Sequence, residues 1–451
     1  MPHTESSFTT ALDAARWAQH LRGNARQGRR LSVYWPGCAG HSPLFERWLR
    51  AAPDAAAGIE FCGVWIPGVN RFDPSALHAD ARVRSFFMSP ELQAGWQRGA
   101  VDFMPLHYSE IVRWIGTPGR FDVVLLHVAP PDADGLCSLS VAADFTPAAL
   151  AGATAGTVVL AHINPRLPRT RGPSVPLSRF TAHAVAEEVP LTVTDGVAGT
   201  ALQAVARHVA ALVRDGDTLQ FGLGKLQAAV LAALHRHRNL RIHAGMVSEG
   251  LLALREAGAL AAEDPSAPPV CAGVALGSEA LYRAVADPSL MRFAPVEHTH
   301  AHATLAAIPR LMAINSALEI DLLGQVNCET LGGRQLSGVG GLVDFVRGAR
   351  ASTGGRAVVA ATATAGPGTD PAHPAGFAGS AGSARSRIVP LLPPGPVGIA
   401  RGDTDIVVTE HGAAELRSLD VDARARALIA IAAPDHRESL EKAWHSLRRS
   451  L

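Results

Sequence analysis

The stretch DTLQFGLGKLQAAVLAALHRH, Asp217 to His237, holds a short apolar run, a glycine-rich turn and an Ala/Leu segment of helical spacing. A strand that turns at once into a helix is one strand–helix unit, and the same alternation recurs along the chain. Apolar runs rich in Val, Leu and Ile appear at RLSVYW (30–35), FDVVLLHVA (121–129), GTVVLAHI (156–163), LRIHAGMV (240–247), RAVVAATA (356–363) and DIVVTE (405–410). Segments such as AVARHVAALVRDG (204–216), with helical periodicity, lie between them. Continuous apolar strands separated by helices are expected in parallel sheets covered on both faces. The fold class is therefore α/β.

A chain of 451 residues is too long for one hydrophobic core, so two domains are expected. The Pro, Gly and Asp of AEEVPLTVTDGVAGTALQ (186–203) suggest a boundary near Asp195, with a first domain over 1–195 and a second over 196–451. The low-complexity patch at 363–386 reads as a long surface loop, either a functional cover or a tolerated insertion. With 47% hydrophobic and 18% charged residues and a formal charge of +1, the chain reads as a globular protein with no electrostatic footprint for nucleic acid. No apolar run is long enough for a bilayer span, and the first residues lack a signal-peptide core, so no membrane partner and a cytoplasmic location are expected. Five scattered cysteines, Cys38, Cys62, Cys137, Cys271 and Cys328, form no CxxC pair and suit reduced thiols better than disulfides or zinc.

Two loops carry chemical promise on physical grounds. In FGLGKL, Gly222 and Gly224 allow close approach of a ligand to backbone, the first helical N–H groups can hold an anion, and Lys225 adds positive charge. A tight turn without a ligand would look the same. LSGVGGLVDF places Gly338, Gly340 and Gly341 within four positions. Neither loop completes a nucleotide-binding fingerprint.

Several stretches taken together resemble one family, the acetyl-CoA hydrolase/transferase group that includes 4-hydroxybutyrate CoA-transferases. They are VAPPDADGLCSLSVAADF (128–145), INPRLPRTRGPS (163–174), GDTLQFGLG (216–224), INSALEIDLLGQVNCE (314–329), QLSGVGGLVDFVRGA (335–349), SRIVPLL (386–392) and DIVVTEHGAAELR (405–417). The resemblance runs from about Val33 to about Glu441. It implies two related open α/β domains of CoA-transferase type with the active site in the cleft between them. It also implies an acyl-CoA substrate with no metal, a homodimer or larger assembly, and CoA contacts at Gly222, Leu223, Gly224, Lys225 and Leu226 and at Gly338, Gly340 and Gly341.

The family's nucleophile is a glutamate in a stretch like IHxEMxSDG. Here His243, Met246, Ser248 and Gly250 match that pattern, and Gly245 stands where the glutamate would be. A family lysine would fall at Ala384, with Arg385 next to it able to face CoA. Glu249, expected in the first turn of a helix starting at Met246 or Val247, and Glu410, at a strand end, are candidate replacements. Each also has a structural reading, as a helix-end carboxylate or a positioning group. His243 is a candidate general base or a structural histidine. Tyr108 and Glu110 match the first-domain side of the cleft. Glu319 and Asp321 suit structural hydrogen bonds. In VEHTHAHA, Glu297, His298, His300 and His302 would alternate on one strand face, and a cleft-lining segment is expected there rather than a metal site.

Three functions remain open at this point. The first is direct transfer of an acyl group from CoA to a small acceptor, whether carboxylate, amine, alcohol or water. The second is conventional CoA exchange through Glu249 or Glu410. The third is non-catalytic acyl-CoA binding.

Overall fold

The computed structural model describes residues 10–23, 29–194, 196–365 and 384–450. The expected boundary residue Asp195, and most of the low-complexity patch at 363–386, lie outside the described residues. The chain divides into two units. One comprises residues 1–105, 110–193 and 273–296, and the other 106–109, 194–272 and 297–451.

The first unit is built on eight strands: β1 (Thr10–Ala11), β2 (Leu31–Tyr34), β3 (Ile59–Gly63), β4 (Arg82–Ser85), β5 (Val101–Phe103), β6 (Val123–Val128), β7 (Val158–Ile163) and β8 (Ala182–Val185). Their order is β1-β8-β7-β6-β2-β3-β4-β5, and the pairings are parallel, as for Val123↔Val158 through Val128↔Ile163. All six residues of β6 are buried. This is why the run VVLLHV shows no apolar–polar alternation: helices cover both faces. Around this sheet pack helices α1 (Ala14–Gly23), α2 (Pro43–Ala51), α3 (Pro90–Gln97) and α4 (Thr146–Ala151). Helix α2 starts where its sequence dictates, with Pro43 at the first position and the Ser42 hydroxyl accepting from Phe45 N–H at 3.2 Å, a cap whose loss costs about 1 kcal/mol. Trp17, Trp35, Phe45 and Phe61 are fully buried in the core, each contributing roughly 1.5–3 kcal/mol of burial.

The second unit repeats the design with β9 (Thr218–Phe221), β10 (Arg241–Val247), β11 (starting at Val270, Val270–Ala275), β12 (Leu311–Ser316), β13 (Arg356–Ala360), β14 (Ile406–Thr409) and β15 (Gly412–Glu415). The sheet includes the run β11-β10-β9-β12-β13-β14-β15. β15 is antiparallel to β14, joined to it by the two-residue turn Glu410–His411, with Thr409 opposite Gly412. The covering helices are α5 (Thr200–Leu212), α6 (Lys225–Ala233), α7 (Gly250–Glu256), α8 (Val296–Thr299), α9 (His302–Ala307), α10 (Leu342–Ala351), α11 (Val421–Ala430) and α12 (Pro434–Arg448).

The two sheets are wound alike. In each, successive strands run outward from a central one, β2 or β9, and the chain then returns to that strand's other side with β6 or β12. The reversal makes β2/β6 and β9/β12 the switch points, outside whose carboxyl ends open α/β sheets place ligands.

Two local expectations are corrected. The strand at Leu240 continues through Gly245 to Val247, and the next helix begins only at Gly250. Val247 is the buried last residue of the strand where a helix was expected, and Glu249 precedes the helix rather than lying in its first turn. VEHTHAHA is no strand: it forms α8 and the start of α9. The run offers no alternating apolar face for a sheet to bury, and Leu305 enters the core from α9 instead.

Candidate active site

At the second unit's switch point β9 ends at Phe221 and α6 begins at Lys225. Gly224 takes φ +117° immediately before the helix, a backbone that side chains rarely adopt. A Cβ at Gly222 would have nothing within 4 Å. The first helical bond runs from Ala228 N–H to Gly224 O at 3.0 Å, so the N–H groups of Lys225, Leu226 and Gln227 come before the helical ladder and can face an anion. Leu226 itself is fully buried, which restricts it to a backbone role. The Lys225 side chain lies over Gly196 and lines a cleft of about 370 Å³ between α5 and α6, together with Arg207, Gln203 and Ala228. None of Gly222, Leu223 or Gly224 lines that cleft.

The GVGG loop precedes α10. Gly338 is buried. Gly340 has φ +57°, and its carbonyl accepts from Tyr108 N–H at 3.1 Å. Asp344, in the first turn of α10, accepts from Ser109 Oγ at 2.6 Å and from Ser109 N–H at 3.1 Å. Residues 106–109 are thereby tied to this loop.

Gly245 and Gly341, far apart in sequence, meet on one side chain. A Cβ built on Gly245 would lie 2.9 Å from Cε1 of His300, and one on Gly341 would lie 2.4 Å from its Nε2. The imidazole thus rests against two bare Cα atoms, in space a side chain at either position would need. His300 is 2% exposed, with Tyr108 at 4.8 Å and Phe345 at 4.6 Å between ring centroids. Its Nδ1 is hydrogen-bonded to Thr299 Oγ1 at 2.9 Å. Burial, followed by the neighbouring His243, pushes its pKa down to about 3. Sequence reasoning named His300 only as one of the VEHTHAHA residues of a cleft-lining segment and gave it no chemical role of its own. The signal for it, two glycines facing one imidazole, exists only in three dimensions.

The remaining candidates fall in separate places. His243, on β10 two residues before Gly245, is buried, and its Nε2 is 3.1 Å from Thr299 O. A carbonyl can only accept, so Nε2 carries a proton and donates. Glu249 directly precedes α7, half-buried. Glu410 sits in the β14–β15 turn, where its Oε2 accepts from Ala363 N–H at 2.6 Å. The Arg385 guanidinium is paired with Glu319 at 2.7 Å, and Glu319 also accepts from Asn327 Nδ2 at 3.0 Å. Asp321 accepts from the N–H groups of Leu323 and Gln325. Glu110, in the other unit, pairs with Arg113 on the surface. None of the five cysteines forms a disulfide. Among the described residues, no helix is long and apolar enough to cross a membrane.

Comparison with known proteins adds the following. Residues 31–194 match the model of the acetyl-CoA hydrolase/transferase N-terminal domain, and residues 277–444 that of the C-terminal domain. The stretch between them, 195–276, carries the Gly222 loop, His243 and Gly245. A 4-hydroxybutyrate coenzyme A transferase of Clostridium kluyveri is 32% identical over 398 residues, 86% of this chain and 87% of that protein. A succinyl-CoA:cyclohexane-1-carboxylate CoA transferase of Geobacter metallireducens is 32% identical over 425 residues, 92% of each chain. The crystal structure of a 4-hydroxybutyrate CoA-transferase from Porphyromonas gingivalis superposes with a TM-score of 0.75 at 27% identity, covering 98% of both chains.

Proposed function

The chain belongs to the acetyl-CoA hydrolase/transferase family and is an enzyme of that type, and from this premise we propose that it moves an acyl group from CoA directly to a small acceptor, without a glutamyl intermediate. The observation that carries the reading is the packing of His300 against Gly245. The resemblance puts a nucleophilic carboxylate at residue 245. Here that residue has no side chain, and an imidazole fills the space one would enter. Gly245 and His300 form a matched pair, so a polar group is retained at the position while the means of forming an acyl anhydride on the protein is not.

In this reading the phosphates and pantetheine arm of CoA run along the backbone of Gly222, Leu223 and Gly224 and of Gly340 and Gly341, where N–H groups and absent side chains suit them. The thioester carbonyl comes to His300. A protic acceptor (water, an alcohol or an amine) attacks the carbonyl carbon; a C–O or C–N bond forms, the C–S bond breaks, and the acceptor's proton ends on the sulfur as CoA–SH. In the tautomer in which Thr299 Oγ1 donates to Nδ1, Nε2 of His300 carries hydrogen and can donate to the oxyanion that develops. A carboxylate acceptor would instead give a mixed anhydride, which the released CoA would reopen. Glu410 suits a nucleophile's part less well, because its carboxylate is already held by Ala363 N–H.

Initial-rate kinetics test the proposal. With an acyl-CoA and an acceptor varied together, intersecting double-reciprocal lines are expected, because both substrates must be bound before any thiol is released. Parallel lines, the sign of a covalent intermediate, would overturn it in favour of exchange through Glu249 or Glu410.

A further inference from the structure

Beside the Gly245–His300 pair, three side chains from distant parts of the sequence converge. His243 on β10, Cys271 at the start of β11 and His298 on α8 each offer one ligand atom, and these atoms all lie within 4.8 Å of one another. The strands are neighbours, with Ile242 N–H donating to Pro269 O at 2.9 Å, so two of the three ligands stand on rigid sheet. The third is the half-buried His298, whose ring is 5.6 Å from that of His243. We infer that His243, Cys271 and His298 form a binding site for a zinc-like divalent cation.

The donor set is the first ground. Two imidazoles and one thiolate are the ligands of a borderline-soft metal and unsuited to magnesium or calcium, which take oxygen. Geometry is the second. Around a tetrahedral zinc with bonds of about 2.0–2.3 Å, ligand atoms stand roughly 3.3–3.8 Å apart, so the cluster needs to contract by about an ångström, within the reach of rotamer changes at His298 on its four-residue helix. The third ground is outer-shell support. His243 donates through Nε2 to Thr299 O at 3.1 Å, the arrangement that fixes the tautomer of a metal-bound histidine and turns its other nitrogen to the ion. Three protein ligands leave a fourth position for water. Binding converts the Cys271 thiol to a metal-bound thiolate, and its proton goes to solvent.

This assignment departs from the expectation of no metal, which rested on the family resemblance and on the lack of a second ligand group in the sequence around VEHTHAHA. That group is supplied by His243 and Cys271, which are 55 and 27 residues from His298 in sequence. A metal here would bind α8 to the sheet. Thr299, hydrogen-bonded through its carbonyl to His243 and through its hydroxyl to His300, would pass that restraint to the imidazole at Gly245.

The test uses the full-length, untagged protein. It is freed of metal with a chelator, incubated with zinc(II), passed through gel filtration and assayed by elemental mass spectrometry. One retained zinc per chain is expected, falling at least tenfold in Cys271→Ser and in His298→Ala. Reloading with cobalt(II) should give a thiolate-to-cobalt charge-transfer band in the wild type that is missing from Cys271→Ser. Failure of the folded wild type to retain zinc, or a cobalt–thiolate band that persists in folded Cys271→Ser, would overturn the assignment. The wild-type measurements decide the matter even if a variant does not fold.

Discussion

The two switch points share a winding and differ in what fills them. In the first unit β2 leads into Trp35-Pro36-Gly37-Cys38-Ala39-Gly40, and every residue from Leu31 to Gly40 is buried. Trp35 stacks on His41 at 5.6 Å and meets Phe72 at 5.6 Å. A Cβ at Gly37 would fall 1.8 Å from the carbonyl oxygen of Val64. In the second unit β9 leads into Gly222-Leu223-Gly224, all partly exposed, with open space where a Gly222 side chain would go. Topology offers a ligand crevice at both places, and aromatic packing closes one of them. Glycine accordingly means different things in the two turns. In one it lets backbone pack on backbone, and in the other it leaves backbone bare.

That contrast breaks most sharply at Gly37. Gly37→Ala forces a methyl into the Val64 carbonyl, and a loss of about 3 kcal/mol or more in denaturant unfolding is expected. Gly222→Ala should change stability by less than about 1 kcal/mol while weakening acyl-CoA binding by titration calorimetry. Equal stability losses would mean that the two turns do not differ as described. Next in size, His300→Ala should lower kcat by roughly 10²-fold, as for removal of one hydrogen-bond donor at a reacting carbonyl, with circular dichroism unchanged. Retained kcat would reduce His300 to packing. Smaller again is the strain of a side chain at residue 245. Gly245→Ala places a methyl 2.9 Å from His300 Cε1 and should cost about 1–3 kcal/mol. In a His300→Ala background much of that cost should vanish, giving a coupling of about 1 kcal/mol. Additive effects would show that the two residues do not share the space.

The parallel α/β class was legible in the sequence because buried strands write it directly, as in VVLLHV of β6, and the family was legible because its stretches occur in order from Val33 onward. The glycine loops were visible as clusters of glycine, and Gly224 and Gly340 take positive φ angles that other residues adopt only with strain. Other features were hidden. Whether β10 ends before or after Gly245 depends on a sheet partner and on the burial of Val247, which local spacing does not encode. The positive charge of Lys225 was apparent, but its course over Gly196 depends on α5. Histidines 298 and 300 looked equivalent at i and i+2. Only packing sends one toward His243 and Cys271 and the other onto two glycines.

Intact-protein mass spectrometry during turnover tests the Gly245–His300 account most directly. With an acyl-CoA in excess and the reaction quenched in the steady state, the expected spectrum shows the unmodified chain alone while free CoA accumulates. A chain carrying CoA or the acyl group, mapped to Glu249, Glu410 or any other carboxylate, would contradict it.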